Sequence, residues 1–310
     1  MPAPSRPEYK TTNWRDYNAS LKSRGSLEIW FDPKLMWYGM PTGKQGRNPT
    51  VSDEAIQFCL KMKVLFQLPL RQTTGLVQSL LKLGKLDWMA PDYSTLSRRQ
   101  KELTVKIPYQ KRAGGLHLLV DSTGIKILGE GEWKRKKHGA EYRRQWRKIH
   151  IGIDAESLEI RAIQITGNHV GDASVLPDLL AQIPTEEKIM FVGADGAYDT
   201  KKCHAAICAR DANAIIPTRK NANFWKEKTP GAKARNEIFA LTKCLGRAIW
   251  RHWSEYYRRS LVECKMRCLK LLGERLMAKD FNRQVAEVHI RAAILNRFTQ
   301  LGTPTTIRVA

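Results

Sequence analysis

The hydrophobic period of this chain changes at Gly114-Gly115, and that change limits what it can fold into more than any other feature. Before it, apolar residues recur at helical spacing; after it, short strand-like runs alternate with helical ones. L-H-L-L-V-D, 116 to 121, is an apolar run ending in Asp121. S-T-G then reads as a turn and I-K-I-L as the next strand. K-I-H-I-G-I-D, 148 to 154, and E-I-R-A-I-Q-I-T, 159 to 166, read as further strands. A helix over 172–183 leads to a buried strand, I-M-F-V-G-A-D, 189 to 195, ending at Asp195. A helix near 200–209 and a strand from 214 follow. Residues 220–240 are polar and basic and read as an insertion, and the chain is helical from about 241 to 298. This order predicts an α/β fold with a mixed sheet over 113–300.

Upstream, Ser52 precedes D-E-A-I-Q-F-C-L-K-M-K-V-L-F, whose early acids suit a helix N-terminus. Pro69 interrupts, L-R-Q-T-T-G-L-V-Q-S-L-L-K-L gives a second amphipathic helix, and Asp92 or Ser94 can cap a third. The third carries Arg98, Arg99 and Lys101. Together they predict a small helical, helix-turn-helix-like DNA-binding domain over 51–112, or else a helical subdomain with a solvated basic face. Residues 1–50, rich in Pro, Gly and aromatics, read as a flexible basic and aromatic arm, with G-K-Q-G-R-N-P at 43–49 as a linker. Such arms can enter a minor groove, though a plain loop has the same composition.

Charge makes nucleic acid the expected partner: 53 Lys and Arg face 30 Asp and Glu, a formal net charge of +23. No run reaches the roughly 20 apolar residues of a membrane span. The N-terminus lacks the apolar stretch of a secretory signal, so a cytoplasmic protein is expected. Cys59, Cys203, Cys208, Cys244, Cys264 and Cys268 lack C-x2-C pairing and read as reduced core residues rather than zinc ligands. No chemistry is assigned to the scattered histidines.

Asp121 and Asp195 each end an apolar strand, where α/β sheets gather their chemistry. Carboxylates at adjacent strand ends can hold a hard cation such as Mg2+, whereas either alone equally well begins a turn. Asp154 also ends a strand, so position alone does not select. The third acid lies in Y-Y-R-R-S-L-V-E-C-K-M-R-C-L-K, 256 to 270, where Glu263 stands alone among basic residues. At about 100° per residue, Tyr256, Arg259, Glu263 and Lys270 share an arc of about 60°. Leu261, Cys268, Leu269, Leu272 and Leu276 lie on the opposite side, with Arg258 and Lys265 intruding there. Ordinary surface pairing of Glu263 with Arg259 or Lys270 is the alternative.

Tyr256-x2-Arg259-x3-Glu263-x6-Lys270 matches the Y-R-E-K signature of DDE transposases from bacterial insertion sequences. V-D-S-T-G around Asp121 and G-A-D-G-A-Y-D around Asp195 resemble that family's first and second acid motifs. The chain looks most similar to the insertion-sequence-5 family over about 110–298. The resemblance implies an RNase H-like catalytic domain with Asp121, Asp195 and Glu263 as catalytic residues. It implies that they hold two divalent ions, Mg2+ with Mn2+ as a substitute, for in-line phosphoryl displacement. The implied partners are double-stranded DNA, both element ends and target, and a second copy of the chain on that DNA. A bacterial, nucleoid-associated location follows.

Arg259 and Lys270 are then expected on phosphates flanking the scissile bond, with Tyr256 beside them. W-K-R-K-K-H-G-A-E-Y-R-R-Q-W-R-K, 133 to 148, holds eight Lys or Arg: Lys134, Arg135, Lys136, Lys137, Arg143, Arg144, Arg147 and Lys148. With Trp133, Tyr142 and Trp146 among them, this run reads as a DNA contact or as a solvated loop. Trp225 reads as a base-stacking wedge or a packed side chain. Two rival functions use the same scaffold: a domesticated, non-catalytic DNA-binding protein, and a metal-dependent nuclease without strand transfer.

Overall fold

The computed structural model describes residues 8–31, 35–40, 43, 48, 50–111, 114–128, 137 and 146–309. Its centre is a mixed sheet of β2 (Leu116–Ile127), β3 (Trp146–Asp154), β4 (Ile160–Gly167), β5 (Ile189–Gly193), β6 (Asn213–Ile215) and β7 (Arg275–Leu276). The strand order is β4-β3-β2-β5-β6, with β7 pairing the far end of β2. β2, β3 and β4 form an antiparallel meander, while β5 runs parallel to β2 and β6 parallel to β5. This is the α/β mixed-sheet architecture expected from the sequence, and it is consistent with an RNase H-like transposase.

Strand periodicity sorts β2 between two cores. Leu116, Leu118 and Val120 face α5 (Asp172–Ala181) and α6 (Lys201–Cys208), whose Val175, Leu176, Leu179 and Ile207 close that side. Leu119 and Ile125 face the other layer, α9 (Ser260–Leu271) and α10 (Phe281–Leu301), through Val262, Met266, Leu269 and Val288. Asp121 shares the odd-numbered parity of Leu119 and Ile125, so it faces the α9 layer.

S-T-G is not a turn. β2 runs unbroken through it because β3 continues alongside, pairing Ser122 with His150, Thr123 with Ile149 and Gly124 with Lys148. Gly124 serves close packing instead: a Cβ there would lie 3.1 Å from Cε3 of Trp146. That contact packs Trp146 across the sheet.

The upstream helices are α2 (Asp53–Leu65), α3 (Leu70–Leu83) and α4 (Tyr93–Glu102). Ser52 caps α2 by accepting from the Ala55 amide at 3.0 Å, and Asp92 caps α4 by accepting from the Ser94 amide at 2.9 Å. Their apolar faces, including Ile56, Leu60, Val77 and Leu96, share one core with Ala286, Ile290, Ala293 and Ile294 of α10. Over the stretch read as an arm, the described residues carry β1 (Glu8–Thr11) and α1 (Trp14–Arg24). β1 pairs antiparallel with β8 (Thr306–Val309). Trp30 and Trp37 are buried, with Trp37 stacked on Trp88 at 5.1 Å. Most of the linker at 43–49 lies outside the described residues.

Between β6 and α9 the chain forms α7 (Ala232–Leu245), α8 (Arg247–Trp253) and a 3-10 turn, Tyr256–Arg259. The helix expected from about 241 is therefore segmented, and β7 interrupts it again before α10. No described helix is long and apolar enough to cross a membrane.

Candidate active site

Parallel pairing of β2 with β5 sets the first two acids. Leu119 pairs with Gly193, so two residues further on Asp121 and Asp195 stand level where the strands part. Asp195 ends its run as an N-cap, its Oδ1 accepting from the Ala197 amide at 2.9 Å. Glu263 comes from α9, which packs on the face Asp121 looks toward.

Arg259 joins them. Its guanidinium donates to Asp121 Oδ2 at 2.8 Å and to Glu263 Oε1. Asp195 acts on the same guanidinium through space. Asp121 is mostly buried, and its carboxyl sits above the usual carboxylate range despite the ion pair. Burial is the main cause; Asp195 and Glu263 add to it, while the Ser122 amide and Arg259 oppose it. Negative charge here exceeds what one guanidinium neutralises, an environment that favours bound cations. Oxygen-only donors of this kind fit hard divalent ions. Among the described residues no three candidate ligands close to metal-binding distance, and Arg259 occupies the space between Asp121 and Glu263.

Tyr256 borders the same site. Burial raises its phenol, with Asp195 and Asp121 adding and Arg259 and Arg251 opposing. It packs on Trp250 at 5.7 Å and under the Arg251 guanidinium at 5.7 Å. The uniform 100° phase fails across 256–259, because left-handed Glu255 (φ 54°) starts a 3-10 turn there. Within α9 the buried residues are Val262, Met266 and Leu269, and Cys268 is exposed. Lys265 finds Thr299 Oγ1 at 2.9 Å, and Arg258 pairs with Glu156 at 2.6 Å. Lys270 lies on α9 two turns beyond Glu263.

Several predicted DNA contacts have internal partners. Arg147 donates to Gln284 at 2.9 Å and lies over the Phe281 ring. Lys148 reaches Asp172 at 3.0 Å and the Val170 carbonyl at 2.9 Å. Arg99 pairs with Asp53 at 2.5 Å, and Arg98 is exposed; the Lys137 side chain is also exposed. Lys134, Arg135, Lys136, Arg143 and Arg144, with Trp133 and Tyr142, lie outside the described residues. Trp225 is packed, between the Arg235 guanidinium at 4.4 Å and the His204 ring at 5.3 Å.

Sequence reasoning missed a buried clamp behind Asp195. Asp199 ends the 3-10 turn that Asp195 begins. Arg235 of α7 holds its carboxylate in two bonds, at 3.2 and 3.1 Å, and His204 lies 3.3 Å away. Arg219 donates its backbone amide to Asp199 and its guanidinium to the carbonyls of Gly196 and Ala197. Asp199 is held down to about 2: burial opposes ionisation, but hydrogen bonds from His204, Arg235 and the Arg219 amide outweigh it. The second Asp of G-A-D-G-A-Y-D was the available signal; its partner 36 residues downstream left none.

Residues 112–297 match a family model described as Transposase DDE domain. The chain belongs to the DDE transposases. A second model of the same description matches residues 22–130 of this transposase. Quinolinate synthases of Mycobacterium sp. strains KMS, JLS and MCS are each 29% identical to the transposase over 126 residues. That is 37% of the chain and 36% of each relative, so the chain spans about a third of their length.

Proposed function

We propose that this chain is the transposase of a bacterial insertion sequence of the insertion-sequence-5 group. It binds the element's terminal inverted repeats, cuts to free 3′-hydroxyl ends and joins them to target DNA. The observation that carries this reading is the gathering of Asp121, Asp195 and Glu263 about Arg259.

Asp121, Asp195 and Glu263 would hold two Mg2+ ions, with Mn2+ able to substitute, which when bound activate the attacking oxygen and stabilise the leaving one. Arg259, freed from the carboxylates, is placed to pair with a phosphate oxygen beside them, as guanidinium does well. Tyr256 borders the same phosphate with its hydroxyl. Helices α2–α4, with Arg98 outward, form the helix-turn-helix-like part that reads the repeat. Two ends must be held together for joining, so a dimer on DNA is expected, in the nucleoid-associated cytoplasm of a bacterium.

The test is end cleavage on the DNA flanking the gene, with Mg2+. Asp121→Asn, Asp195→Asn and Glu263→Gln should each lose at least about a thousandfold in rate, the several kcal/mol of charge stabilisation at stake. DNA binding should persist. Full cleavage by any of the three removes that residue from the triad. Supplying pre-cut ends and a plasmid target reads joining separately, and hydrolysis without joining would make the protein a nuclease instead.

A further inference from the structure

A groove of about 800 Å³ opens where the end of α2, the far end of β2 and the α9–β7–α10 junction meet. At its floor is Lys63 of α2, a residue only 7% exposed. Among the described residues its ammonium has one hydrogen-bond partner, the Met277 thioether at 3.9 Å, a weak acceptor. The nearby carboxylate, Glu287, is already committed to the Met277 and Ala278 amides and to Arg291 at 2.7 Å. Burial pulls the Lys63 ammonium below its ordinary range, with Glu287 opposing and Arg291 reinforcing. A cation buried without a compensating oxygen is costly, and an anion entering the groove would remove that cost.

The rim continues the pattern. Arg267 and Arg275 are exposed and Lys270 half-buried, while Glu274 is the acid on that side. Glu263, Arg267 and Lys270 are spaced i, i+4, i+7, one stripe of α9. The groove therefore leads away from the carboxylates along that helix. Seven residues at 1.5 Å each place Lys270 about 10 Å from Glu263, about three base steps of 3.4 Å.

We propose that this groove takes the DNA backbone about three nucleotides from the phosphodiester held at the acids, with Lys63 pairing to one phosphate and Arg267 and Arg275 to its neighbours. The proposal rests on the transposase reading. It makes the junction of helical and sheet parts a strand guide, and it adds three cations that no sequence signature marks.

The experiment is fluorescence anisotropy of the full chain with a labelled duplex from the DNA flanking the gene, over a sodium chloride series. Each phosphate contact adds about one to the slope of log affinity against log salt. Lys63→Met should lower the slope by about one, and Lys63→Arg should restore it. Arg267→Ala and Arg275→Ala, both surface changes with little folding risk, should each do likewise. Lys243→Ala, an exposed cation on α7 outside the groove, should leave the slope unchanged. Wild-type slopes in the Lys63, Arg267 and Arg275 variants would overturn the groove while leaving the transposase reading standing. Wild-type protein without salt-dependent binding would overturn both.

Discussion

Asp199 shows at the scale of single residues how much of this site lies behind the acids. With Arg235 it forms a buried pair that also accepts the Arg219 amide, with His204 Nε2 3.3 Å away. Removing one partner strands the other charge, so Arg235→Leu should cost about 3–5 kcal/mol in urea unfolding. Asp199 also sets a pH dependence. Its folded value of about 2 lies below the roughly 3.9 of an unfolded Asp, so its contribution is present above pH 4 and lost as pH falls toward 2. The stability gap between wild type and Asp199→Asn should narrow over that window. A gap that widened on acidification would contradict the depressed value. The three acids were legible as motifs, because the residues that flank each of them are close in sequence. Arg259 was legible as a cation but not as a bridge between two of them, since that depends on which way α9 faces.

Caps and pairings explain which elements the sequence announced. Ser52 was readable as the start of α2 because capping chemistry is local. Its hydroxyl accepts from Ala55 and also donates to the Met36 carbonyl. Ser52→Ala should cost about 1 kcal/mol, read by urea midpoint, and no change would mean the cap is idle. The turn at S-T-G failed for the opposite reason. Ser, Thr and Gly favour turns locally, yet nine residues of β3 hold β2 extended through them. The same override broke the long helix expected after residue 241. Left-handed Glu255 and the β7 pairing to β2 divide it, and neither has a periodic signature.

The whole molecule is joined by α10. One side of this helix, with Ile290 and Ile294, completes the core of α2–α4; another, with Val288, Ala292 and Leu295, completes the sheet core. The pairing of β1 with β8 joins the two ends of the described chain. Helical and sheet parts should therefore unfold together. Ile290→Ala, a cavity worth about 2–5 kcal/mol, should reduce amide-exchange protection in β2 as well as in α2. Loss confined to α2 would show two independent units. Sequence alone determined the class of fold and the family resemblance: strand and helix periods, the motifs around the acids, the Y-R-E-K spacing and the excess positive charge are all local or compositional. Tertiary structure decided what depends on approach between distant segments. It set Asp121 level with Asp195, laid Arg259 between Asp121 and Glu263, and left Lys63 buried without an oxygen partner among the described residues. Contacts across such separations are fixed by packing and register, which no window of residues carries.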